Sequence, residues 1–324
     1  MMMNLMILFA PNTYVWIALL TMTALTVVAL WGFRCWRRRW LRLAGLLLVL
    51  LGWVALYHGV FVGPCGLDVR RVEIVSADLP AAFDGYRIVQ FSDAHVASFT
   101  AHRRQLLQEA VDSMLAQHAD LIVFTGDLQN KRADEVVPHL GQLSRLKARD
   151  GVLSVLGNHD YPMYIDANEY EVARQMDKTL MTQERLGWTL LNNQHVTIRR
   201  GADSIVVAGM ENDGEGRFPA KGDAITALTG VNPQSFVIML EHDPTAWRRN
   251  ILPVSHCQLT LSGHTHGGQL SLLGWSPASL RYREYAGLYY VGQQALNVST
   301  GLSGVVPMRW GVTPEIVVIT LKKR

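Results

Sequence analysis

Hydrophobic positions follow two different patterns along this chain. In the first sixty or so residues they are almost continuous. Thr13–Phe33 (TYVWIALLTMTALTVVALWGF) runs 21 residues without a formal charge, and Leu43–Val62 runs 20 more with only His58 ionisable. Each is long enough to cross roughly 30 Å of hydrocarbon as a helix. Gly63-Pro64-Cys65-Gly66 is expected to break the second span and open a linker. Beyond it the pattern becomes short, β-rich apolar runs separated by polar, helix-length segments. Strands are predicted at Val72–Ser76, Tyr86–Phe91, Leu121–Phe124, Gly151–Leu156, Ser204–Ala208, Ser235–Leu240, Gln258–Leu261, Ala295–Val298 and Glu315–Leu321. Helices are predicted at Ala101–His118, Asp134–Lys147, Asp166–Leu186 and Pro219–Leu228. Strand–helix alternation early and denser strands late predict an α/β or α+β layered fold. The chain divides into residues 1–65, a membrane anchor, and 66–324, one domain with a large core.

Charge orients the anchor. Between the two apolar runs, Arg34, Arg37, Arg38, Arg39 and Arg42 put five arginines into nine residues. The positive-inside rule places that loop in the cytoplasm and everything after about residue 63 outside, in a multi-pass inner-membrane protein. Arg37-Arg38-Arg39 ahead of an apolar run also resembles a twin-arginine export signal, which exports the domain as well. A cleaved signal peptide fits poorly, because Met1–Asn12 carries no basic side chain. With a net charge of +3 and five arginines in the anchor, the domain has no basic excess, a poor footprint for nucleic acid. Three cysteines are too few for a disulfide framework.

The candidate chemistry lies where strands end. YRIVQF runs into Ser92-Asp93-Ala94-His95, LIVFT into Gly126-Asp127, and GVLSVL into Gly157-Asn158-His159-Asp160. SFVIML runs into Glu241-His242-Asp243, and QLTL into Ser262-Gly263-His264-Thr265-His266. The carboxyl edge of an α/β sheet is where ligands bind. Taken alone, each motif has a bland reading as a turn, a cap or a packing histidine; the ordered set does not. Asp93, His95, Asp127, Asn158, His242, His264 and His266 offer carboxylate, amide and imidazole donors and no thiolate. Such a set suits divalent manganese, iron or zinc, and it exceeds what one tetrahedral ion needs. The zinc-protease pattern H-E-x-x-H is absent.

The series D-x-H, G-D, G-N-H-D, H and G-H-x-H resembles the calcineurin-like metallophosphoesterases over nearly all of Tyr86–Leu321. Ser262–Gln269 (SGHTHGGQ), Tyr285–Tyr289, Asn297–Leu302 and Pro314–Leu321 look like the membrane-anchored bacterial branch. The resemblance implies a four-layer α/β/β/α sandwich and two divalent ions. It implies Asp93, His95 and His266 on one ion, Asn158, His242 and His264 on the other, and Asp127 between them. It also implies hydrolysis of a phosphomonoester, phosphodiester or pyrophosphate by a metal-bridging hydroxide, with His159 as the acid facing the scissile phosphate. Asp160 either orients His159 or is a turn residue bonding its own backbone.

The two histidines of GHTH are expected in an extended strand, on one face, with glycines letting the backbone approach the ions closely. Gln269 either stands behind them or is a strand-surface amide. Two departures from the family pattern are Asn130, where many relatives are acidic, and Glu241, where a small residue is common. Glu211–Arg217 is either a solvated turn or a rim that reads substrate. A binding protein on the same scaffold is the alternative function, and the intact His159 argues against it. An outward-facing site beside a bilayer suits an envelope or lipid-linked phosphoester.

Overall fold

The structure, a computed structural model, describes residues 11–32, 39–100 and 103–324, with side chains described from residue 16 onward. Arg34, Cys35, Trp36, Arg37, Arg38, Phe33 and His102 therefore lie outside the described residues. Two helices lead the chain, α1 (Pro11–Gly32) and α2 (Arg39–Tyr57). They touch through Trp53 Nε1, which donates to Thr26 Oγ1 at 3.0 Å. Their apolar side chains are largely uncovered, Trp31 and Leu48 among them. In water such a surface is costly; in lipid it is required.

The end of the second span differs from the expectation, and its length sets it apart from α1. Among the described residues, one helix is long and apolar enough to cross a membrane, Arg39–Cys65. The apolar part of α1, Trp16–Gly32, is shorter. The second span also does not break at Gly63. A π-helical turn (His58–Val62) and a 3-10 turn (Gly63–Cys65) carry it on, because Pro64 stands at the start of that last turn, where its missing N–H is no loss. The helix end then docks on the rest of the chain. Arg309 N–H donates to Gly59 O at 2.8 Å. A Cβ on Gly63 would collide with the Arg309 carbonyl, so only glycine permits this approach.

From Asp68 onward twelve strands form two six-stranded sheets. The first is ordered β1 (Asp68–Ser76), β12 (Glu315–Lys323), β2 (Arg87–Phe91), β3 (Leu121–Thr125), β4 (Val152–Val155) and β5 (Thr189–Leu190). The second is β10 (Gly287–Val291), β11 (Gln294–Val298), β9 (Leu259–Ser262), β8 (Phe236–Leu240), β7 (Asp203–Gly209) and β6 (Gln194–Arg200). In the first sheet β2, β3 and β4 run parallel; in the second β7, β8 and β9 do. β1 and β12 pair in parallel from Asp68↔Glu315 to Ser76↔Lys323.

The two sheets face one another. Ile88, Val123 and Val155 of the first pack with Val207, Ile238 and Leu261 of the second. On the outer face of the first sheet, Leu107, Val111 and Met114 of α3 (Arg104–Ala116) cover Val89, Phe91 and Phe124. On the outer face of the second, Trp247, Ile251 and Ala227 cover Val237, Met239 and Val298. Helical pieces thus flank a central pair of sheets. Strands buried on both sides read as unbroken apolar runs, which is why LIVFT and FVIML are so uniform.

All nine predicted strands are present; β5, β6 and β10 were not predicted. The helix expected over 134–147 is a 3-10 stretch (Ala133–His139) followed by one short turn (Leu140–Leu143). Pro138 removes an interior N–H donor and clashes with the preceding turn, so a regular α-helix does not form there. The helix over 219–228 shrinks to Ala224–Ala227, started by Asp223 accepting from Ile225 N and Thr226 N. The helix over 166–186 is α4 (Glu169–Leu186), capped by Asn168 and stopped by Gly187 at φ 73°.

Candidate metal centre

The carboxyl ends of β2, β3, β4, β8 and β9 meet on one edge, and hydrogen bonds between the sheets hold them there. Gln90 Nε2 donates to Ser262 O at 2.9 Å, and His242 Nδ1 donates to Thr125 O at 2.6 Å. His264 N–H points at both Asp93 carboxylate oxygens, 3.1 Å from each. All seven side chains singled out in the sequence gather on this edge. Asp93, His95 and His266 offer ligand atoms within 4.8 Å of one another, and so do Asp127, His242 and His264. Asp127 links the two groups, because its Oδ2 lies 3.5 Å from His95 Nε2 and 3.2 Å from His242 Nε2. Asn158 Oδ1 sits 2.8 Å from His264 Nδ1.

The backbone gives up its ordinary conformation to bring them together. Asp93, His95, Asp127, His264 and His266 have φ of 49°, 41°, 64°, 71° and 51°. Left-handed backbone costs an L-residue roughly 1–2 kcal/mol, least for short polar side chains. Such strain survives only where the surroundings over-determine it. This corrects the expectation for GHTH. β9 ends at Ser262, and the two histidines sit in a turn with left-handed backbone on either side of Thr265. An extended strand would carry both imidazoles on one line; the turn sends one toward Asp93 and the other toward Asp127. Glycines make room. A Cβ on Gly126 would lie 2.5 Å from Gly157 N and 2.7 Å from His242 Nδ1. One on Gly263 would strike Ser92 Oγ and Asp93 Oδ2.

The arrangement fits metal ions on two observations. His95 Nε2, His242 Nε2 and His266 Nδ1 are buried with no hydrogen-bond partner. An orphaned buried nitrogen is costly unless something else completes it. His95 and His242 also donate their other nitrogen to a main-chain carbonyl, Gln129 O at 3.2 Å and Thr125 O at 2.6 Å. In neutral His95 that fixes the tautomer and leaves the inward lone pair for a cation; in His242 a bound cation would take the place of the inward proton.

Electrostatics agree. Burial holds His95 down at about 3, so it is neutral, and keeps His264 and His266 below the ordinary imidazole value. Burial pushes Asp93 up to about 6, helped by the charge of Asp127. His242 goes the other way. Burial alone would lower it, yet the adjacent Asp127 and Asp93 carboxylates hold it at about 10. The carboxylates that keep a proton there attract a cation by the same field.

His159 occupies the rim. Its Nδ1 lies 2.6 Å from Asn130 O and its main-chain N–H donates to Asp127 Oδ1 at 2.7 Å. Its ring stacks on Tyr164 at 4.2 Å. Asp160 does not touch that ring through any hydrogen bond among the described residues. Its carboxylate accepts from the main-chain N–H groups of Asp127 (2.8 Å), Leu128 (2.9 Å) and Gly157 (2.9 Å). Asp160 thus ties the Asp127 loop to the Asn158 loop, and Asn130 O orients His159. Burial and the nearby Asp127 push Asp160 up to about 7.

Other residues singled out take structural places. Glu241 is buried and accepts from Asp213 N and Asp243 N. Gln269 Nε2 donates to Val306 O at 2.9 Å, pinning the loop after Leu302. In Glu211–Arg217 the first half is tied down, with Tyr161 Oη donating to Glu211 at 3.2 Å, while Glu215 and Arg217 are exposed beside the site. Four side chains carried no signal in the sequence. Tyr164 Oη accepts from Asn158 Nδ2 at 2.6 Å, Tyr282 Oη lies 3.1 Å from His264 Nε2, and Phe218 sits edge-on to His264. Arg309, buried behind Asp93, donates through Nη2 to Thr300 O and Ser303 O. Each is a rim or support residue outside any compact motif.

Comparison with known proteins follows the same residues. The family model described as "Calcineurin-like phosphoesterase" matches residues 86–268. The "uncharacterized metallophosphoesterase YkuE" of Bacillus subtilis is 32% identical over 275 residues, covering 81% of this chain and 88% of that protein. A "transmembrane protein with metallophosphoesterase domain" of Danio rerio is 31% identical over 265 residues, covering 79% of this chain and 57% of that protein. The UDP-2,3-diacylglucosamine pyrophosphatase of Chlamydia trachomatis is 27% identical over 308 residues, covering 77% of this chain and 88% of that protein.

Proposed function

This chain belongs to the calcineurin-like phosphoesterase family, and from that premise we propose that it is a membrane-anchored hydrolase of phosphoester or pyrophosphate bonds working with two divalent ions. The observation that carries this is the buried cluster around Asp127, where three unpartnered imidazole nitrogens face two carboxylates. Asp93, His95 and His266 would hold one ion, Asn158, His242 and His264 the other, with Asp127 shared. Manganese, iron and zinc all suit these donors. Bound there, the ions supply Lewis acidity toward a phosphoryl oxygen and make water acidic enough to ionise near neutral pH.

The chain's own residues do the rest. Asn130 O fixes His159 Nδ1–H, which leaves Nε2 as the nitrogen that exchanges a proton with the leaving oxygen. Burial keeps the His159 pKa below its ordinary value, so its imidazolium releases that proton readily. Tyr164 limits ring rotation by stacking. Asp160 keeps the Asp127 loop in register with the Asn158 loop. An acid in this position serves bond cleavage rather than mere capture, which disfavours a pure binder.

On the anchor, residues 1–65 would cross the membrane twice, with the arginine-rich turn in the cytoplasm and residues 66–324 outside. A substrate whose phosphoester is linked to lipid follows from that position. The likeness to a pyrophosphatase of a diacylated sugar nucleotide supports a lipid-linked substrate, and a cytosolic sugar nucleotide as that substrate would require the opposite topology. The test is hydrolysis of aryl phosphates, phosphodiesters and lipid-linked diphosphates by the purified full chain with added manganese. Asp127→Ala and His159→Ala should each remove turnover, and normal turnover in both would refute the assignment. A reporter fused after residue 324 reads the topology independently.

A further inference from the structure

Between the two metal-site histidines' flanks the chain makes an excursion that the chemistry does not use. It leaves the site at His266, passes Leu270, Leu272, Leu273, Trp275 and Leu280, and returns at Tyr282, whose Oη meets His264. The middle is apolar and uncovered. Leu273 is 100% exposed, Leu280 81%, Leu272 55% and Trp275 53%. The turn is nevertheless built, not loose. Leu272 N–H donates to Trp275 O at 2.9 Å and Trp275 N–H donates back to Leu272 O at 3.0 Å. Ser276 Oγ, buried, donates to Gly267 O at 2.8 Å and ties the far limb to the metal-site turn.

This excursion sits beside the end of the apolar helix. Trp310 N–H donates to Gln269 O, and Ser271 N–H donates to Trp310 O at 2.8 Å. The neighbouring residue, Arg309, bonds Gly59 in the last turns of the helix. Two residues of extended chain separate Ser271 from Leu273, at most about 7 Å. Ser271, Trp310 and Arg309 thus link this exposed turn to the last turns of the helix, where Tyr57, Phe61 and Val62 are exposed as well. Arg281 and Arg283 follow Leu280 directly, the order of apolar, aromatic and basic residues found at a membrane interface.

We propose that the turn Leu272–Trp275, with Leu280, is seated in the bilayer beside the exit of the helix, so that the metal site opens onto the lipid surface. This rests on the reading of Arg39–Cys65 as a membrane span. Apolar side chains of such an element reach about 5–10 Å into the headgroup–acyl boundary. Since one limb of the turn starts at His266 and the other returns at Tyr282 against His264, a phosphoester held at the membrane surface meets the site without its lipid leaving the leaflet.

The test uses the full chain in lipid nanodiscs. Cys35 and Cys65 are replaced by serine, while Cys257, buried, stays. A polarity-sensitive fluorophore is attached in turn at Leu273→Cys, Leu280→Cys, Val54→Cys and Ile225→Cys, and manganese-dependent aryl phosphate turnover verifies each fold. Lipids spin-labelled near the headgroup or, separately, midway along the acyl chain are then added, because residue 54 lies roughly 16 Å along the helix from Cys65, near the bilayer middle. Quenching of the labels at 273 and 280 by about twofold or more, against none at 225, is the expected result. Quenching at 54 with labels 273 and 280 behaving like 225 overturns the proposal and leaves the span intact. No quenching at 54 removes both. Labels at 273 and 280 that are shielded from an aqueous quencher yet untouched by the lipid quencher mean that protein covers the turn, which also overturns it.

Discussion

Gly263→Ala is the sharpest single test of the metal centre, because it adds one methyl group without removing any proposed ligand. The new Cβ would lie 2.8 Å from Ser92 Cβ and closer still to Ser92 Oγ and Asp93 Oδ2, where ordinary contact begins at 3.4 Å. Ser92 Cβ must retreat by about 0.6 Å and the oxygens by more, since a repulsive wall leaves no softer choice. Ser92 is held by its bond to Thr125 O, and Asp93 by His264 N–H, so the displaced group is the Asp93 carboxylate or the His264 turn. Metal–ligand distances tolerate about 0.2 Å. Overpacking costs about 1–3 kcal/mol, and loss of the charge-assisted His264–Asp93 bond about 1.5–3 kcal/mol more. A misplacement of this size is expected to cost roughly 100-fold in turnover. The assay is bound manganese by elemental analysis alongside aryl phosphate hydrolysis across a manganese titration. Gly141→Ala, where nothing lies within 4 Å, is the control and should behave as wild type. Gly263→Ala protein holding two ions with unchanged affinity and rate would refute this geometry.

The other predictions concern separate parts of the molecule. His159→Asn should lower turnover by about 100-fold or more while manganese binding and thermal midpoint stay put, as expected for a proton donor; falling metal content would assign it to the ligands instead. Asp160→Asn replaces one acceptor oxygen with a donor facing main-chain N–H groups, and should destabilise the chain by about 2–4 kcal/mol in denaturant unfolding, with no change indicating that the loops do not depend on it. Gly63→Ala should unseat the helix end and lower the thermal midpoint in detergent. Gly59→Ala, whose Cβ meets the flexible Met308 side chain at 3.3 Å and the Arg309 carbonyl only at 3.8 Å, should be close to neutral; equal effects would contradict the docking. Removing metal by exhaustive chelation should abolish turnover and lower the thermal midpoint, and manganese should restore both.

Much of the site could be read from sequence because its groups are chemically unusual where they stand. Asp127 after LIVFT and His242 after FVIML interrupt strands with no other reason to end in a charge. The conformation of GHTH could not be read, because glycine-flanked residues accept either extended or left-handed backbone, and contacts with Asp93 and Asp127 decide. Asp160 had two local readings, and only the fold brings the N–H groups of residues 127 and 128 to it. Tyr164, Tyr282 and Arg309 act through approaches between distant segments, which leave no spacing to detect. Pro138 carries the signal against a regular helix over 134–147, although the polar pattern there has helical length. β5, β6 and β10 lie at or near sheet edges, where half-exposed side chains blur the apolar pattern. The apolar run ahead of Gly63 was legible as a span. Its docking on Arg309 was not, since it depends on two glycines one turn apart.

The nine-residue ladder between β1 and β12 bears on biosynthesis. β1 follows the helix directly and is made early, yet it sits at the edge of its sheet with β12 as its sole neighbour. β12 also separates β1 from β2, so no earlier strand can stand in for it. As the ribosome works through the intervening residues, β1 waits unpaired. Sheet closure therefore waits until β12 itself has been made, and a polypeptide stopped short of Glu315 presents a bare edge to whatever quality control surveys it.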